Sequence, residues 1–268
     1  MTSANYLQLT SRPAQAADLA ALQALRMDFC QLAGEPDTAP THAGGFLLTE
    51  NAEGRLLGCL RLTVRAGLDA PRYAYHVGTV VHAASELGLF QRQHTLLLGN
   101  DLTGCAELGE VAWDNKTLTP AEQAQLLRHM LGVALQELAL QCANSGERLF
   151  VELAGLRDPA GQAVFWQGMG KPFCRYETRA AQARFGADWQ RHVAALLPKH
   201  AIYASFLPHA VQRSIGQAAP QLHLWQAALV EAGFAYGQHV RIDDGGPIYE
   251  AEIDLLAPIR AARAALAG

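Results

Sequence analysis

The sequence predicts a fold that mixes strands and helices, α/β or α+β rather than all-β. Three observations carry this. Residues 119–144 hold the longest helical pattern, with Leu126, Leu127, Met130, Leu131, Ala134, Leu135 and Leu138 at helical spacing. Residues 107–113 read as a strand that feeds this helix. Residues 149–153 follow it as a short apolar run, and a buried strand placed after a long helix needs a parallel partner.

The other elements follow in order. Residues 6–10 alternate like a short strand, which Arg12-Pro13 ends. Residues 16–33 place Leu19, Leu22, Leu25, Met27, Phe29 and Leu32 at helical spacing, with Asp18 in the first turn, where a carboxylate suits the helix dipole. Residues 34–45 are loop by composition. Residues 46–50 and 55–65 form a hairpin through Asn51-Ala52-Glu53-Gly54. Residues 73–81 and 94–98 are further strands. Residues 164–170 form a short amphipathic helix ending in Gly170 and leading to an aromatic strand at 172–176. Residues 225–231 show a similar grammar through Gly233 to Phe234 and Tyr236, an echo too weak to call a repeat. Residues 257–266 form an Ala/Arg helix docked on the surface. No low-complexity linker divides the chain, so residues 1–177 and 178–268 are expected to form two parts packed on each other.

Composition excludes several functions. The chain has 268 residues, 50% apolar and 17% charged, which supports a core and excludes disorder as its main state. Its net charge of −4 excludes a protein that binds duplex DNA by neutralising phosphates. No apolar run reaches about 18 residues, so no membrane-spanning helix is expected. The polar start up to Pro13 has no signal core. Cys30, Cys59, Cys105, Cys142 and Cys174 are widely spaced, without a CxxC, as suits small buried thiols in the cytoplasm.

Generic motifs are missing. There is no G-x-G-x-x-G and no G-x-S-x-G. Gly170-Lys171 fails as a phosphate loop, because Phe165 stands where its first glycine belongs. His76 and His82 share a strand face at a spacing that favours a structural role over a metal pair. Asp243-Asp244-Gly245-Gly246-Pro247 is either a hairpin turn or a carboxylate pair facing a cationic substrate.

Longer strings say more. They are Tyr75-His76-Val77-Gly78-Thr79-Val80-Val81-His82-Ala83, Gly99-Asn100-Asp101-Leu102-Thr103-Gly104, Val164-Phe165-Trp166-Gln167-Gly168-Met169-Gly170-Lys171, Leu197-Pro198-Lys199-His200-Ala201-Ile202-Tyr203, Ser214-Ile215-Gly216-Gln217 and Ile242-Asp243-Asp244-Gly245-Gly246-Pro247. In this order they resemble the arginine N-succinyltransferase family, which has the acyl-CoA N-acyltransferase (GNAT) fold. The resemblance implies an α+β architecture: a GNAT-like mixed central sheet flanked by helices in residues 1–177, with a second αβ half in 178–268. It implies no permanently bound cofactor, with succinyl-CoA or another acyl-CoA as co-substrate. The acceptor is implied to be the α-amine of arginine or a similar amine. The implied setting is cytoplasmic arginine catabolism, in a homo-oligomer or a hetero-oligomer with a paralogous subunit, without nucleic acid or membrane.

The resemblance also implies residue roles. The acyl-CoA contact on the central strand aligns with Val111, whose backbone would serve the oxyanion. Glu110 is the candidate base, acting through water, and Asp243 and Asp244 are candidate acceptor contacts. The family's proton-donor histidine precedes the proline that follows the Ile-Gly-Gln string. Ala219 stands there, which leaves His200 as a candidate donor. The loop after Gly34 is shorter than the family's. The loop at 114–120 lacks the glycine that opens backbone N–H groups to the CoA pyrophosphate. Thr119-Pro120-Ala121-Glu122 has the form of a capping box, which would occupy those donors. An alternative to the enzyme is thus a catalytically degenerate subunit that pairs with an active paralogue.

Overall fold

The computed structural model describes residues 6–33, 40, 42–141 and 148–267. In chain order its elements are β1 (Leu9–Pro13), α1 (Leu19–Ala33), β2 (Phe46–Asn51), β3 (Leu56–Thr63), β4 (Ala74–Ala84), β5 (Leu89–Gly99), β6 (Ala106–Trp113), α2 (Pro120–Gln141) and β7 (Arg148–Glu152). They continue with α3 (Val164–Met169), α4 (Thr178–Phe185), α5 (Trp189–Leu196), β8 (Ile202–Tyr203), α6 (His209–Ser214), α7 (His223–Ala232), β9 (Ala235–Arg241), β10 (Pro247–Glu252) and α8 (Ala257–Ala267).

Among the described residues, ten strands form one mixed sheet in the order β1-β2-β3-β6-β7-β10-β9-β4-β5-β8. Every pairing is antiparallel except β6 with β7, which α2 connects as a crossover. The parallel partner demanded by the run at 149–153 is thus β6. β1 is an edge strand, and Pro13, which has no N–H to donate, sits at its end. It lies about three residues later in the chain than the sequence places it. The division expected at 177/178 runs through this sheet: β10 pairs with β7, and β9 pairs with β4.

The core follows from the helix faces. α2 turns Leu127, Met130, Leu131, Ala134 and Leu138 into one cluster with Trp225 and Leu229 of α7 and Ile259 of α8, against β2, β3 and β6. A second cluster joins Phe165 and Trp166 of α3 and Val193 of α5 to Tyr75, Leu96 and Val240. Cys59 lies in the first cluster, and burial pushes its thiol up to about 12. Cys142 lies outside the described residues.

Two expectations need correction. Residues 172–176 are not a strand: Phe173 and Cys174 both donate their N–H to Gly170 O, which curls the chain into turns. The strands expected at 73–81 and 94–98 are the inner halves of a longer hairpin, closed by Gly88 at φ +61°. Its outer half is exposed, with no buried face to impose an apolar alternation.

Candidate functional site

The centre of the sheet carries an irregularity. Cys59 pairs with Ala112 and Arg61 with Gly109, so Glu110 and Val111 together face only Leu60. This bulge puts Glu110 at φ +47°, a left-handed conformation that a non-glycine residue adopts at a cost of about 1–2 kcal/mol. On its other side β6 pairs with β7 only at Ala106–Leu149 and Glu107–Phe150, and beyond those two pairs the ladder ends. A cavity of about 980 Å³ opens there, with Leu108, Gly109, Glu110 and Val111 of β6 and Val151 and Glu152 of β7 in its wall.

Charge dominates this cavity. Arg61 pairs with Glu110 at 2.9 Å, and Arg72 pairs with Glu107. Arg241, at the end of β9, is held by Asp243 at 3.0 Å and Asp244 at 3.2 Å. Burial opposes ionisation of Asp243, and Arg241 outweighs it, so the carboxyl sits below its ordinary value. Burial pushes Asp244 up to about 6; its Oδ1 accepts the Gly246 N–H at 3.0 Å. Burial likewise raises Glu152 to about 7, against the attraction of Arg241 and Arg72. A carboxyl that titrates near neutrality can accept and return a proton.

The residues singled out from the sequence take these places. Glu110 and Val111 line the cavity, with Glu110 ion-paired and the Val111 carbonyl accepting from Arg26 Nη1 at 3.0 Å. Asp243 and Asp244 do not line it: they are 1% and 0% exposed in the β9–β10 hairpin turn, where they secure Arg241. His200 is exposed in the turn before β8 and is not in the wall. Ala219 is 5% exposed, packs into the first core cluster and donates its N–H to Ala154 O at 2.7 Å. His76 and His239 meet ring edge to ring face at 5.3 Å, while the His82 ring lies 6.0 Å from Tyr203.

Sequence reasoning missed Arg26, Arg72, Glu107, Glu152 and Arg241. Only Arg26 carried a visible signal, as a cation on the stripe formed by Leu22 and Phe29 of α1. The others meet through the sheet order.

The loop before α2 is closed upon itself. The Asp114 carboxylate accepts the N–H groups of Lys116 and Thr117, each at 3.0 Å. The Thr119 N–H donates to the Glu122 carboxylate at 2.8 Å, and the Glu122 N–H returns to Thr119 Oγ1 at 3.4 Å. The capping box read from the sequence is formed. Lys116 pairs with Asp28 of α1 at 2.9 Å.

Comparison with known proteins agrees with the geometry. The family model "Arginine N-succinyltransferase beta subunit" matches residues 29–258. An arginine N-succinyltransferase of Salmonella arizonae is 34% identical over 258 residues, covering 95% of this chain and 72% of that protein. One of Escherichia coli is 34% identical over 81% of this chain and 62% of its own length. The chain therefore spans between about three fifths and three quarters of these relatives. Subunit AI of the arginine/ornithine succinyltransferase of Pseudomonas aeruginosa superposes with a TM-score of 0.68 at 25% identity, covering 95% of this chain and 80% of that one. Among the described residues no helix is long and apolar enough to cross a membrane. With its central sheet opened at β6 and β7 and a family match along most of its length, the chain belongs to the arginine N-succinyltransferase family.

Proposed function

We propose that this chain transfers the succinyl group of succinyl-CoA to the α-amine of arginine or a similar amine; its relatives are named arginine N-succinyltransferases. The observation that carries the reading is the charged cavity at the β6–β7 opening, with the bulge at Glu110–Val111 on one wall and Glu152 on the other. The thioester carbonyl lies against the backbone of Val111, whose fixed dipoles meet the charge that develops on the oxygen. The amine attacks in its neutral form and sheds a proton as the new bond forms, so a base is needed.

Glu152 takes that proton. Glu110, the base expected from the sequence, is held by Arg61 at 2.9 Å, while Glu152 meets Arg241 only at 3.9 Å and burial keeps its proton affinity high. The neutral amine nitrogen forms its bond to the carbonyl carbon, Glu152 takes the proton the nitrogen sheds, the C–S bond breaks, and that proton passes to the departing thiolate. One carboxyl near neutrality thus serves both steps, and no histidine is needed at Ala219.

The donor enters by its acyl-pantetheine arm. The loop at 114–119 has its donors taken by Asp114 and Glu122, and both would repel a pyrophosphate. A cytoplasmic setting and assembly with a second subunit fit this reading.

The test is incubation of the purified chain with succinyl-CoA and arginine, following free thiol and the mass of N-succinylarginine. Product formation that rises with pH through about 7, and falls about 10²–10⁴-fold in Glu152→Gln, is expected. No product with any amine, from a folded protein, overturns the proposal in favour of a partner-only subunit.

A further inference from the structure

The arginines of the cavity are mostly matched by carboxylates of the chain itself. Arg61 has Glu110, Arg72 has Glu107, and Arg241 has Asp243 and Asp244. Arg26 differs. It sits on the inner stripe of α1, is 3% exposed, and contributes to the cavity wall. Its Nη1 donates to the Val111 carbonyl at 3.0 Å, its Nε is buried without a hydrogen-bond partner, and among the described residues no carboxylate lies within ion-pair distance.

A buried cation is expensive to keep unless a counter-charge meets it. A backbone carbonyl is a partial match: it orients the guanidinium and leaves the charge unneutralised. The planar fork of an arginine fits a carboxylate with two parallel hydrogen bonds. The anchoring carbonyl belongs to Val111, on the bulge where the acyl group is placed above. A ligand carboxylate seated on Arg26 would therefore lie beside the reacting carbonyl and within one short carbon chain of it.

The geometry points to Arg26 as the residue that receives the free carboxylate of the acyl donor, selecting a dicarboxylic half-thioester over a neutral acyl-CoA. This rests on the acyltransferase reading. Arg26 acts on choice of donor, and the bond-making steps stay with the β6 backbone and Glu152. Its charge, unmatched among the described residues, is the counterpart of the one charge that distinguishes succinyl-CoA from butyryl-CoA, which puts a methyl where succinyl has a carboxylate.

The test is calorimetric titration of wild type and Arg26→Met with succinyl-CoA and with butyryl-CoA, followed by kcat/KM for both donors. Wild type is expected to prefer succinyl-CoA by about 10- to 100-fold, the worth of a charge-assisted pair. Arg26→Met is expected to bring that ratio to near one. The variant should stay folded: an apolar side chain of similar length replaces a charge unmatched among the described residues, at the cost of the hydrogen bond to the Val111 carbonyl. If it does not fold, Arg26→Lys keeps the charge without the fork, and its ratio should fall between the two.

An unchanged preference in a folded variant overturns the assignment and leaves the acyltransferase reading standing. So does a variant that keeps its donor preference and loses its preference for arginine over agmatine, because the carboxylate read by Arg26 is then the acceptor's. Absence of binding by either acyl-CoA overturns both readings.

Discussion

Replacing Glu152 by glutamine should change how the stability of the fold depends on pH. An ordinary glutamate titrates at 4.5, whereas burial raises Glu152 to about 7 in the folded chain. Below pH 4.5 the carboxyl is protonated in both states and contributes no difference. Between these values the unfolded chain releases its proton while the folded chain keeps it, so stability falls as pH rises. At about 1.4 kcal/mol per pH unit, the loss reaches about 3 kcal/mol above pH 7. Glutamine has no proton to lose, so Glu152→Gln escapes this decline. Asp244, raised to about 6 for the same reason, keeps its own share in both proteins. Urea unfolding at pH 4.5, 6 and 8 measures the effect. The variant should gain on wild type by about 3 kcal/mol between pH 4.5 and 8. Parallel profiles over that range would show that Glu152 ionises as it does in water, and the case for it as base would go with them.

Three further outcomes are expected. Succinyl-pantetheine, which lacks the nucleotide phosphates, should bind within a few-fold of succinyl-CoA in a calorimeter; a loss of a hundredfold would show that the loop at 114–119 does hold the pyrophosphate. Ala219→His should destabilise the chain by about 1–3 kcal/mol in urea unfolding without raising the rate, because the Ala219 side chain packs in the core rather than in the cavity wall. Gly246→Ala should leave little folded protein by circular dichroism, since its Cβ would overlap the Leu153 carbonyl and lie 2.6 Å from the Gly155 N atom, both backbone atoms that cannot turn aside.

Local pattern made α2, β6, β7 and α7 legible, because long apolar periods and glycine stops are written in adjacent residues. The Thr119–Glu122 box was legible for the same reason, its whole geometry lying within four residues. The outer half of the β4–β5 hairpin was not, because its exposed residues lack the alternation that a buried face imposes. The segment at 243–247 read as either a hairpin turn or a carboxylate pair facing a substrate; the hairpin is what the fold makes, and two acids in a turn look solvated until Arg241 is placed beside them. Glu152 closes an apolar run and resembles a strand end. Its raised proton affinity arises from burial within the assembled sheet, against the attraction of Arg241 and Arg72, which lie far from it in sequence.

The position of the β4–β5 hairpin has a consequence for how the chain is made. Its only inner neighbour is β9, which ends at Arg241, while the hairpin itself is complete at Gly99. During synthesis about 140 residues must follow before that neighbour exists, at roughly 5–20 residues per second. For those seconds the ribosome displays a strand pair with an unpaired inner edge, and Tyr75 and Val77 lack the helices that will cover them. Folding of this chain is therefore late and global: a nascent chain ending near residue 177 should engage holding chaperones rather than bury its own sheet, and slower translation should prolong that exposure.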